Sequence, residues 1–149
     1  MSSAELLRWA EIDLAAVGHN VGQLKARFPF LELDGFETKP LLKSGKTADG
    51  DTLQYLKTDK PEIVAVTGTI QPGGRTPLHQ HPIPVFVYVM EGELEVQTEG
   101  KEPRGYKTGD SFIESMNRSH QAFNKGTSPA KILVVFVGEA DKPTTIVPK

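Results

Sequence analysis

From residue 35 to residue 137 no apolar run lasts long: stretches rich in β-branched and aromatic residues are cut by clusters of Gly, Pro, Asp and Lys. A chain punctuated in this way has room for short strands and tight turns but not for long helices. The runs predict strands near 36–42, 62–70, 75–81, 85–90, 94–98, 111–114, 120–124 and 131–137, separated by breaks at 71–74, 91–92, 100–103, 108–110, 115–118 and 125–128. Strands of this length and spacing predict an all-β fold, a double-sheet jelly roll or small barrel with a pocket at its mouth.

The first 34 residues have a different texture. Leu6, Leu7, Ile12, Leu14, Val17, Val21 and Leu24 recur near a 3.6-residue period, with Asp13 as a possible cap, which predicts one or two helices over 4–28. The expected organisation is therefore an N-terminal helical extension (1–34), a β-barrel domain (35–140) and a C-terminal tail (141–149). The tail, poor in apolar residues, is read as an arm or a frayed end.

At 149 residues the chain can bury one core of ordinary size. A net charge of −2, with acids and bases interspersed, offers no basic stripe for a nucleic acid and no cationic helix for a membrane surface. With no long apolar run and no signal-peptide pattern at Met1-Ser2-Ser3-Ala4-Glu5, a cytoplasmic protein is expected. The absence of cysteine removes disulfides, thiolate ligands and a thiol nucleophile, so any metal or redox centre must rest on nitrogen and oxygen donors.

Histidine is the donor the sequence concentrates. His79 and His81, at i and i+2, project from one face of a strand, and His120 on a neighbouring antiparallel strand can converge on them as metal ligands. The fourth, His19, sits in the predicted helix and reads as a surface residue.

The spacing around these histidines resembles the two motifs of the cupin superfamily. Gly73, five residues, His79-x-His81, three residues, Val85, six residues and Gly92 stand in register with the first motif, with valine where the family has glutamate. Gly109, five residues, Ser115-Met116-Asn117, two residues, His120, three residues and Asn124 match the second, apart from its Pro-x-Gly turn. The resemblance covers roughly 62–139. It implies a double-stranded β-helix (jelly-roll) cupin barrel holding a divalent metal ion (Fe, Mn, Ni or Zn) through His79, His81 and His120, with Val85, Phe112 and Asn124 around the pocket. Asn117, in the place of the turn glycine, tolerates the left-handed backbone that turn needs. Asn124 is expected to fix backbone or pocket geometry by hydrogen bonding.

Because Val85 cannot bind a metal, the resemblance leaves three neutral imidazoles and an ion with its full +2 charge, which favours an anionic ligand such as an enolate or carboxylate. Ile83, Val85, Phe112 and Phe123 make an apolar pocket wall. Glu114, just before the second-motif turn, is either a general base or hydrogen-bond partner at the pocket mouth or an ordinary strand carboxylate. Three functions fit: a dioxygenase-type oxidoreductase on a small anionic substrate, a metal-free small-molecule-binding or sensor protein, and a metal-dependent isomerase or hydrolase. The partner expected is a small molecule, and a homodimer formed through sheet edges is the expected assembly.

Overall fold

A computed structural model describes residues 38–148 of the chain. The predicted N-terminal helices, with His19 and Phe36, lie outside the described residues. The chain divides into two units, Met1–Pro40 and Leu41–Lys149.

Among the described residues there are seven strands and no helix: β1 (Pro61–Ile70), β2 (Val85–Glu91), β3 (Glu93–Thr98), β4 (Arg104–Lys107), β5 (Ser111–Ile113), β6 (His120–Phe123) and β7 (Ala130–Glu139). Hence none of these residues belongs to a helix long and apolar enough to cross a membrane. The strands form two antiparallel sheets of the expected jelly-roll type, ordered β1-β7-β2-β5 and β4-β3-β6.

Alternation decides which side chains meet between the sheets. On β2, Val85, Val87 and Val89 point inward and are wholly buried, while Phe86 and Tyr88 face out. Ile70 at the end of β1, Ile83 just before β2, Leu94 and Val96 from β3, Phe112 from β5, Ala122 from β6 and Ala130 and Ile132 from β7 complete the core. Each buried valine contributes about 1.5–3 kcal/mol relative to leaving it exposed.

Three features depart from the sequence reading. The strand predicted over 36–42 is absent from its described part, which has no regular structure. Residues 75–81 do not form a continuous strand: Pro77 has no N–H to pair, and the segment makes isolated bridges, Arg75 to Phe123 and His79 to His120. Beyond them, β4 was not anticipated; it pairs with β3, Arg104 opposite Val96 and Tyr106 opposite Leu94. The C-terminal segment lies against residue 80, where Gln80 and Ile146 exchange backbone hydrogen bonds of 2.9 Å in both directions.

Candidate metal centre

His120 opens β6, and the backbone pairs it with His79: each N–H donates to the other's carbonyl, at 3.1 and 2.8 Å. His81 follows His79 by two residues and is anchored by Asn117, whose N–H donates to its carbonyl at 2.8 Å. The Asn117 backbone is left-handed (φ 54°), as the turn required. The three rings consequently face one another, with centroids 4.5 Å (His79–His120), 4.8 Å (His79–His81) and 5.2 Å (His81–His120) apart.

A fourth side chain joins them. The β2–β5 ladder pairs Phe86 with Ile113, and one step on the Glu114 N–H donates to the Val85 carbonyl at 3.0 Å. Paired residues of an antiparallel ladder point to the same face. Glu114 thus projects inward beside Val85 and supplies a carboxylate next to the place where the motif's own is missing. Its Oε2 lies 3.1 Å from His81 Nε2 and 3.6 Å from His120 Nε2, and its side chain is 12% exposed. The ligand atoms offered by His79, His81, Glu114 and His120 all fall within 4.8 Å of one another, a cluster that could hold a metal ion. The three expected donors are thus brought together, and a carboxylate stands beside them that the expectation of three neutral donors did not include.

The hydrogen bonds on the far side of each ring set its protonation. His79 Nδ1 contacts Pro77 O at 2.7 Å, His81 Nδ1 contacts Thr144 O at 2.7 Å, and His120 Nδ1 contacts Arg118 O at 2.9 Å. A carbonyl only accepts, so each Nδ1 carries a proton and each neutral ring turns a bare Nε2 lone pair to the centre. Three lone pairs and a carboxylate then converge with no donor among them. His120 Nε2 is buried without a hydrogen-bond partner, the Glu114 oxygen at 3.6 Å being too far. A divalent cation would satisfy such a constellation, and nitrogen and carboxylate oxygen suit a first-row ion.

Without a metal, protons must serve. Burial pushes the Glu114 carboxyl up, but the His120 and His81 imidazoles outweigh it and hold it at about 2. Burial pulls His120 down, yet the Glu114 carboxylate prevails and raises it above its ordinary value. His79 is lowered, mainly by burial and then by the other two imidazoles, against the pull of its bond to Pro77.

The remaining expected site residues divide. Phe112 lines the interior with Glu114 and His120, and its ring stacks on Tyr106 at 3.9 Å. Val85 is a core residue beside the centre. Asn124 fixes backbone as expected: it donates from Nδ2 to Ile70 O and Ser128 O, both at 2.8 Å, and accepts from Gly126 N–H at 2.9 Å. Phe123 alternates to the opposite side of β6 from His120 and Ala122.

No curated protein matches the sequence. Residues 66–136 match the cupin domain family. Among solved structures the chain is similar to a DMSP lyase from Ruegeria pomeroyi DSS-3, at 25% identity and a TM-score of 0.51, over 57% of this chain and 42% of that one. It is also similar to the oxalate decarboxylase of Lactobacillus farciminis in its formate complex, at 21% identity and a TM-score of 0.50, over 64% of this chain and 33% of that one. The second likeness is one of fold. The matched region spans less than half the length of either protein.

Proposed function

This chain carries a cupin domain, and on that premise we propose that it is a metal-dependent enzyme acting on a small anionic molecule, its ion held by His79, His81, His120 and Glu114. One observation carries the reading: three Nε2 atoms, each on a ring held through Nδ1 by a backbone carbonyl, converge with a carboxylate, and the buried His120 Nε2 has no hydrogen-bond partner. Iron, manganese, nickel and zinc all accept such donors. When bound, the ion supplies Lewis-acid polarisation of a substrate oxygen. The protein's own part is to orient the rings through the carbonyls of Pro77, Arg118 and Thr144 and to keep water from the centre with Val85, Val96 and Phe112. With one carboxylate among the ligands a divalent ion keeps a net +1, still a charge that favours an anionic substrate. As a ligand, Glu114 is not free to serve as the general base.

The likeness to a DMSP lyase at 25% identity supports a lyase reaction, bond cleavage without an external oxidant. A dioxygenase reaction is the second reading, supported by imidazole and carboxylate donors that suit ferrous iron. Metal analysis of protein prepared without chelator should find one equivalent per chain, lost in His81→Ala; an unchanged metal content in that variant overturns the ligand assignment. Turnover of DMSP and a panel of small carboxylates under nitrogen then separates the two chemistries, since only the lyase reaction survives without oxygen. Carboxylate binding that is equally tight with and without metal would instead favour a non-catalytic binding protein. We further take the protein as a cytoplasmic homodimer. The edge strand β1, which presents Ile63 and Val66 to solvent, supports the dimer, and a monomer in sedimentation velocity would overturn it.

A further inference from the structure

A hairpin at residues 44–53 covers part of the interior next to the centre. It is closed by the Lys46–Thr52 bridge and by Leu53 N–H donating to Gly45 O at 2.9 Å, and it is fastened to β5 by Ala48 N–H donating to Ile113 O at 2.7 Å. Its tip sends Asp49 inward, with the side chain 4% exposed. Ser115 Oγ donates to Asp49 Oδ2, and Arg104 Nε lies 3.9 Å from Oδ1. Arg104 reaches this point because it pairs with Val96 and so shares the inward face of the β3–β4 ladder. Asp49, Arg104, Ser115, Glu114 and His120 all line one cavity of about 10 Å³.

Two things about this arrangement are unusual. A buried carboxylate is costly unless well paired, yet Asp49 has one hydroxyl and one half-exposed guanidinium, and it stands near a second carboxylate, Glu114. The cavity is at the limit for a single water, so no substrate reaches His120 and Glu114 from this side while Asp49 is in place. A hydroxyl donor and a guanidinium around one carboxylate are also what a substrate carboxylate would need.

We propose that Ser115 and Arg104 form a carboxylate subsite beside the metal centre and that Asp49 is a built-in competitor for it, displaced with its hairpin when a small carboxylate-bearing molecule binds. The proposal deepens the metal-enzyme reading, on which it rests for the chemistry that follows binding, by naming the anchor for the substrate's acid group. Occupancy of the subsite itself does not require the ion.

Acetate is the probe, titrated calorimetrically into the full chain as purified and after chelation. Asp49→Ala should bind acetate about tenfold tighter than wild type in both forms, because the competing internal state is gone. Adding Ser115→Ala or Arg104→Ala to Asp49→Ala should abolish that gain. Equal affinity in wild type and Asp49→Ala overturns the proposal, as does a gain that survives loss of both Ser115 and Arg104. Should the variant not fold, amide hydrogen exchange in wild type decides: acetate should speed exchange at the Ala48 N–H, and unchanged or slowed exchange at saturating acetate refutes displacement. A chain that proves to hold no metal, yet shows these acetate effects after chelation, would defeat the metal-enzyme reading and leave the subsite standing.

Discussion

The pH behaviour of the metal-free protein turns on Glu114 and His120, which act in opposite directions. Glu114 is depressed from 4.5 to about 2, so its contribution is present above 4.5 and lost as pH falls toward 2. His120 is raised from 6.5, so its contribution is complete below 6.5 and lost as pH rises through its folded value. The pair therefore stabilises most between 4.5 and 6.5. A carboxyl moved from 4.5 to about 2 is worth on the order of 3 kcal/mol. His79, lowered from 6.5, opposes this by costing stability as pH falls below 6.5, so the pair is isolated by comparison with Glu114→Gln. Urea unfolding of chelated protein across this range should show the window in wild type and its loss in the variant; an equal pH profile in both contradicts the assignment. Glu114→Gln should also weaken metal retention more than about tenfold, and Val85→Glu in a Glu114→Val background should recover it, since the two positions share a face. If the recovered variant binds no better than Glu114→Val, the carboxylate has not moved from one strand to its neighbour. The histidines were readable because their meaning lies in local spacing. Glu114 was legible as a residue of the pocket mouth but not as a neighbour of all three imidazoles, because that place appears only when β2 and β5 are paired.

Turns carry the register that makes such pairings possible, and Gly92 between β2 and β3 is the tightest of them. Its φ is +72°, and a Cβ there would stand 2.5 Å from Pro129 O and 3.0 Å from Ala130 Cα. Backbone strain and the clash add, so Gly92→Ala should cost at least about 1–3 kcal/mol, seen as a lower urea midpoint with an unchanged slope. A midpoint equal to wild type would mean that the loop before β7 moves aside freely. The glycine was visible in the first motif, and six of the seven strands were visible as runs of β-branched and aromatic residues between turn signals. β4 was invisible: in Arg104-Gly105-Tyr106-Lys107 only Tyr106 adds an apolar side chain to the face it shares with Leu94, and the other place on that face is taken by the charged Arg104. The segment 75–81 failed in the opposite sense. Its alternation looked like a strand, but Pro77 leaves it held by single bridges and by side chains such as Gln121, whose Nε2 donates to Thr76 O at 2.6 Å.

Segments from before β1 and after β7 meet at the centre, which ties the fold to the site more closely than the barrel alone would. The hairpin at 44–53 brings Asp49, and residues 142–147 bring the Thr144 carbonyl that fixes the His81 ring. The second contribution can be removed without touching the core, because Ile146 and Val147 are exposed and none of the core side chains lies beyond Ile132. A chain ending at Ala140 should keep its sheets but lose the carbonyl that holds His81 in the Nδ1–H tautomer, weakening metal affinity about 10–100-fold. For wild type with metal at a hundredfold excess over its dissociation constant, binding adds about 2.7 kcal/mol of stability. At the same metal concentration a hundredfold weaker site would add only about 0.4 kcal/mol. A tenfold weaker site would still add about 1.4 kcal/mol, so thermal unfolding with and without metal should show a clear rise in Tm for the full chain and a distinctly smaller one for the shortened chain. Equal rises in the two would mean that His81 keeps its tautomer without Thr144, and residues 142–147 would then matter for packing alone.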